Sequence, residues 1–193
     1  MSTVAAVVAV IALLATYLTW TAERIDRLNL RVERADASLD AQLVRRSAAA
    51  ETFATSPAVA AVLPARQLAD LRAVAAEARA SEAQAAHGDR WATENALTVR
   101  VIEAALALQH AGHEAASAAA ADVVADLAAA SQRVDLARSF YNQAVRDARE
   151  HRARVAPRLL HLAGRAALPP FVDMDDTTLP EVAEQPALRA HLP

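Results

Sequence analysis

The sequence predicts an all-α protein, with a single N-terminal transmembrane helix followed by an antiparallel, coiled-coil-like four-helix bundle. The chain opens with an uncharged apolar run, holds only three glycines, and has no proline between Pro64 and Pro157. A long alanine-rich stretch without these breakers favours long helices. We divide the chain into an anchor at residues 1–22, a body at 23–165, and an acidic, proline-containing tail at 166–193 that is expected to be disordered.

The opening run has the length and composition of a membrane anchor. No charged side chain precedes Glu23. At ~1.5 Å per residue, residues 4–22 would extend about 28 Å, close to the ~30 Å hydrocarbon core. A cleaved signal peptide would begin with basic residues, and a soluble core helix rarely goes this long without charge. The side chains predicted to meet lipid are Val4, Val8, Ile11, Leu14, Tyr17 and Trp20.

Arginines that follow the anchor predict its orientation. Arg24, Arg27, Arg31 and Arg34 come directly after the apolar run, and no basic side chain precedes it. Loops rich in arginine stay on the cytoplasmic side of a membrane. We therefore expect a single-pass protein with its N-terminus outside and its body in the cytoplasm.

Apolar residues at steps of three, four and seven predict the buried faces of four helices. These faces comprise Ile25, Leu28, Val32, Ala35, Leu39 and Leu43 in helix A; Leu68, Leu71, Ala75 and Ala78 in helix B; Leu97, Val101, Ala104 and Leu108 in helix C; and Leu127, Val134, Tyr141 and Ala148 in helix D. Helix A is predicted to run on from the anchor to Thr55, helix B from Pro64 to a cap and turn at Gly88-Asp89, helix C from there to Gly112, and helix D from about Glu114 to about Val155.

Residues 137–147 resemble the signature of the LemA family of bacterial membrane proteins, which lies late in the family's last long helix. The matching positions are Arg138, Tyr141, Asn142 and Val145. The resemblance implies an N-terminally anchored helical bundle in the bacterial cell membrane, with a poorly defined role and no catalytic residues to carry over.

Other segments resemble the family in the same order along the chain. They are Leu39 to Arg46 with its basic pair, Glu77-Ala78-Arg79, Glu94-Asn95-Ala96-Leu97, and the closing segment from Pro157 to Gly164 with Phe171. The chain departs from the family before the last helix, where His110 to Glu114 stands in place of a Tyr-Pro-x-Leu segment. The resemblance is therefore to a divergent member.

Three groups of residues are candidates for a site. Tyr141 lies on the apolar seam, so its hydroxyl needs a partner, and Asn142 would fix the bundle register as a buried amide does in coiled coils. His110, His113 and Glu114 resemble metal ligands, but a zinc site needs a further ligand, so no metal or cofactor is expected. The basic residues Arg146, Arg149, Arg152, Arg154 and Arg158 form either a solvated helix end or a contact for lipid or a partner.

These observations favour a membrane-tethered, non-catalytic scaffold or interaction module. A membrane-bound metal-dependent hydrolase using His110 and His113, or a helical signalling bundle, are the alternatives. The chain has no cysteine and no glycine-rich phosphate loop. The expected partners are the lipid bilayer, anionic lipid, other proteins through helix faces, and a second copy. The net charge of −3 argues against nucleic acid.

Overall fold

The computed structural model describes residues 2–83, 87–111, 118–153 and 169–174, and within these ranges all regular structure is helical. The elements are α1 (Ser2–Thr55), α2 (Pro57–Ala60), α3 (Ala65–Ala83), α4 (His87–His110) and α5 (Ala118–Ala153). The described part of the chain contains no strand, so the all-α prediction is confirmed there.

Helix α1 is one unbroken helix of 54 residues that contains both the predicted anchor and helix A. It ends at Thr55, as the sequence predicts, because the next residue precedes a proline. Ser56 is extended, with ψ 124°, and a residue before proline is disfavoured in the helical region. Pro57 then begins the short helix α2, whose four residues are too few to show a helical pattern in the sequence.

The predicted cap and turn at Gly88-Asp89 is wrong, because both residues lie within α4. Glycine costs a helix only about 1 kcal/mol relative to alanine, a penalty that burial of an apolar face outweighs. The face of α4 that follows is buried at Leu97, Val101 and Ala104. Gly112 and the predicted ends of helix D, at Glu114 and Val155, lie outside the described residues.

Contacts within the chain define two compact units. Unit 1 comprises Met1–Leu39 and Ala137–Val172, and unit 2 comprises Asp40–Leu136 and Asp173–Pro193. Residues 23–165, predicted as one body, contribute to both units.

Unit 2 holds a core to which the end of α1, α2, α3, α4 and the start of α5 all contribute. Its α3 and α4 pack against each other. The predicted face of helix B is fully buried, at Leu68, Leu71, Ala75 and Ala78. Many core positions are alanine, so the helices can approach closely.

Unit 1 buries seven-residue series on both of its helices. Ile25, Val32 and Leu39 are buried on α1, and Tyr141 and Ala148 are buried on α5. The seven-residue pattern predicted for helix D is thus confirmed as a buried face. Unit 1 also contains residues 169–172, which have no regular secondary structure and which we call the docked segment.

Candidate functional site

The N-terminal part of α1 leaves its large apolar side chains exposed. Each predicted lipid-facing residue has about half or more of its surface accessible, from 48% at Tyr17 to 67% at Val4. An 18-residue window of this helix is apolar enough to cross a membrane by length and composition, and 0% of it is buried. A soluble helix rarely exposes such a continuous apolar surface.

Three threonine hydroxyls in this part of α1 are satisfied by the helix itself. Thr16 donates to the Ala12 carbonyl oxygen at 2.9 Å, and Thr19 donates to that of Ala15 at 3.0 Å. Thr21 does the same to Tyr17 at 2.8 Å. Internal satisfaction of polar groups is what a hydrocarbon environment requires, so these threonines are compatible with a membrane span.

The family-like residues Tyr141 and Asn142 hold the docked segment. The Tyr141 hydroxyl donates to the Pro170 carbonyl oxygen at 3.0 Å. The Asn142 amide nitrogen donates to the Val172 carbonyl oxygen at 2.9 Å, and the Val172 backbone N–H donates to the Asn142 Oδ1 at 2.9 Å. One side chain thereby satisfies both backbone groups of one residue, as a neighbouring β-strand would.

This arrangement bears on two predictions. Asn142 binds the backbone of Val172, so the register role expected of a buried amide between helices is replaced by docking of a segment. The sequence predicts a disordered tail at 166–193; of these residues, 169–172 lack regular secondary structure and are bound by side chains of α5, and Val172 is only 3% exposed. Of the other signature positions, Val145 is fully buried and Arg138 is half-buried.

Arg149 also binds the docked segment. Its Nε and Nη2 donate to the Pro169 carbonyl oxygen at 3.0 and 2.7 Å, and its guanidinium lies 4.5 Å from the centre of the Phe171 ring. The attraction between a cation and an aromatic face adds to these hydrogen bonds. The guanidinium therefore binds the segment in two ways, through its N–H groups and through its contact with the ring. Arg149 is thus engaged within the protein, and its contact with lipid or a partner stays a prediction.

The remaining arginines of the predicted cluster have different surroundings. Arg152 donates to the Asn29 Oδ1 at 2.7 Å. Arg146 is exposed and donates to Gln143 at 3.0 Å. Arg154 and Arg158 lie outside the described residues. Among the described members, Arg146 alone keeps the solvated character that lipid contact from this cluster requires.

A cavity of about 480 Å³ in unit 1 follows the apolar part of α1. We call it the charged groove; its polar lining comes from Arg24, Arg27 and Arg31 of α1 and from Asp147, Glu150 and His151 of α5. Arg31 lies 3.5 Å from Asp147. Arg24 stacks on Trp20, with its guanidinium carbon 5.6 Å from the ring centre. The groove therefore has a cationic side and an anionic side.

A buried ion pair in unit 2 is the main feature that sequence reasoning missed. The guanidinium of Arg46 bonds to the carboxylate of Glu94, and the two side chains are 4% and 0% exposed. Arg46 also donates to the Thr98 hydroxyl at 3.0 Å and to the Glu94 carbonyl oxygen at 3.2 Å. A buried charge must be paired or it is very costly, so each partner requires the other.

The sequence carried a signal for this pair. Arg46 continues the seven-residue series Ile25, Val32 and Leu39, and Glu94 lies one step of three before Leu97 on the buried face of α4. Charged residues of opposite sign thus stand at two core positions. Extending both apolar series by one step would have predicted a buried charge on each of these helices, although not that the two charges pair.

Of the three candidate metal ligands, only His110 is among the described residues. His110 is exposed, and its Nδ1 lies 2.6 Å from the Leu106 carbonyl oxygen, which requires the proton on Nδ1. His113 and Glu114 lie outside the described residues. Elsewhere in the described ranges, no three metal-binding side chains come together.

Comparison of the chain with protein-family models, curated proteins and solved structures found no match.

Proposed function

We propose that this protein is a membrane-tethered, non-catalytic interaction module of the LemA type, an antiparallel helical bundle carried on the cytoplasmic face of a bacterial membrane. The observation that carries this proposal is the continuity of α1. The apolar exposed stretch and the buried seven-residue series lie on one helix without a break. A body joined to its anchor without a flexible linker stays next to the membrane surface.

Contacts within unit 1 support an antiparallel pairing of α1 and α5. Arg31 lies beside Asp147, whereas Asn29, earlier on α1, binds Arg152, later on α5. Opposite order along two helices is what antiparallel neighbours have. The α5 end that carries Arg152 would then return towards the anchor.

The partners of the family-like residues support a non-catalytic role. Arg46 pairs with Glu94, Arg79 pairs with Glu51, and Tyr141 and Asn142 bind the docked segment. Each of these four segments therefore has a structural contact that accounts for its residue type. A catalytic group would instead stand in a cleft with its reactive atoms accessible.

A topology assay tests the orientation. Alkaline phosphatase fused after Pro193 should be inactive and a cytoplasm-dependent reporter at the same position active, because Arg24, Arg27, Arg31 and Arg34 hold the body inside.

The full chain should resist alkaline extraction from membranes, whereas Ile11→Asp should weaken that resistance; Ser38→Asp, on an exposed part of α1 beyond the anchor, is the matched control. Active phosphatase in the first assay would contradict the proposed orientation. Full extraction of the unaltered chain by alkali would contradict the membrane tether.

A further inference from the structure

The charged groove has the charge pattern of a zwitterion-binding site. Three arginines face two carboxylates, so their formal charges sum to one positive charge. Its volume falls within the ~300–1,000 Å³ usual for ligand sites. A ligand with phosphate alone would meet Arg24 and Arg27 favourably but would also lie close to Glu150, which repels it. A ligand with a cation beside its phosphate would satisfy both sides.

The position of the groove along α1 matches the depth of lipid headgroups. The headgroup layer is about 5–7 Å thick on each side of the hydrocarbon core. With Ala22 at the core boundary, a rise of ~1.5 Å per residue puts Arg24 about 3 Å and Arg27 about 8 Å beyond it. Arg31 would lie about 14 Å out, past the headgroups, where Asp147 accompanies it. Arg24 therefore stands within the headgroup layer and Arg27 at its outer edge, where both side chains can reach a lipid phosphate.

The cation that Glu150 could receive decides the headgroup. A primary ammonium donates three hydrogen bonds, whereas a quaternary ammonium has no N–H to donate. Glu150 is exposed and has no ion pair among the described residues. A charge-assisted hydrogen bond to a carboxylate is roughly twice as strong as a neutral one, so Glu150 would distinguish these two cations.

We propose that the charged groove binds the headgroup of a phospholipid that carries both a phosphate and a primary ammonium group, as phosphatidylethanolamine does. Arg24 and Arg27 bind the phosphate, and Glu150 accepts hydrogen bonds from the ammonium. The lipid's acyl chains lie along the exposed apolar side chains of α1. This assignment rests on the membrane tether proposed above and adds a specific lipid to it.

Native mass spectrometry of the full-length protein in detergent tests this assignment. Lipids with identical acyl chains and ethanolamine, choline or glycerol headgroups are added, and the retained fraction is measured. We expect ethanolamine lipid to be retained about tenfold better than choline lipid, the effect of one charge-assisted hydrogen bond. Glu150→Gln should abolish this difference, and Arg24→Gln with Arg27→Gln should weaken retention of all three lipids. Glu33→Gln and Arg34→Gln, on exposed positions outside the groove, are the matched controls.

Three results would overturn the proposal. Equal retention of ethanolamine and choline lipids would remove the role of Glu150. Best retention of the glycerol lipid, increased by Glu150→Gln, would make the groove a simple anion site. Competition by free phosphoethanolamine at concentrations similar to those of the lipid would identify a soluble ligand. Detergent replaces the bilayer in this experiment, so lipid binding is measured whether or not the protein is anchored. If alkali extracts the protein from membranes but ethanolamine lipid is still retained best, the membrane tether is rejected and the lipid site is kept.

Discussion

Two regions of α1 use arginine in opposite ways. In unit 2, Arg46 is 4% exposed and bonds to a buried carboxylate. In unit 1, the side chain of Arg27 is 62% exposed and its nearest ionic partner, Glu23, lies 3.5 Å away in the same helix. The same residue type is a structural element in one unit and a charge open to ligands in the other. Burial, which decides whether a charge can be left unpaired, accounts for the difference.

The largest expected effect comes from breaking the buried pair. Arg46→Ala should lower the free energy of unfolding by about 3–5 kcal/mol, because Glu94 would remain as an uncompensated buried charge. Thermal unfolding of the full chain in detergent measures this loss. Arg45→Ala, at the exposed neighbouring position, should change stability by less than about 0.5 kcal/mol.

Replacing both partners should have a much smaller effect than removing one. Arg46 Nε and Glu94 Oε1 have no hydrogen-bond partner among the described residues, so the pair is not fully satisfied. Arg46→Met combined with Glu94→Leu should therefore recover most of the lost stability, since apolar replacements of similar volume are often neutral. A double variant as unstable as Arg46→Ala would mean that the pair has a role beyond satisfying buried charge.

A smaller effect is expected at the docked segment. Asn142→Ala removes two hydrogen bonds to Val172 and should cost about 1–3 kcal/mol. Because this loss is local, exchange of the Val172 amide hydrogen should speed up about tenfold or more. Gln143→Ala, which removes only surface bonds to Asp147 and Arg146, should leave that amide unchanged. Unchanged exchange in Asn142→Ala would show that the segment is held by other contacts.

The surface ion pair of unit 2 should contribute little. Glu51 and Arg79 are 49% and 44% exposed, so water screens their attraction. Glu51→Gln should change stability by less than about 1 kcal/mol, and raised salt should reduce the difference further. A loss of stability comparable to that of Arg46→Ala would mean that burial does not decide how much an ion pair stabilises this protein.

The smallest effect on stability is expected in the charged groove. Arg27→Gln and Glu150→Gln should each stay within about 0.5 kcal/mol of the unaltered chain, because both side chains are exposed. Thermal unfolding of the variants used for lipid retention provides the measurement. Strong destabilisation by either variant would mean that these charges stabilise the fold, as Arg46 does, and the contrast between the two regions would be wrong.

The sequence by itself determined the helical class, the apolar N-terminal run, the end of α1 at Thr55 and the buried face of α5. These features depend on local chemistry: proline restricts the residue before it, and helical periodicity repeats within one segment. The wrong prediction of a turn at Gly88 came from using local chemistry alone. Glycine weakens a helix only slightly, and burial of the rest of the face outweighs that cost.

Only the tertiary structure decided which polar residues meet. Arg46 and Glu94 are distant in sequence, as are Asn142 and Val172, and nothing in either local pattern names the partner. The charged groove likewise exists only because α1 and α5 both contribute side chains to it in unit 1. Such contacts follow from how helices pack, and packing depends on the summed burial of many side chains that no single segment contains.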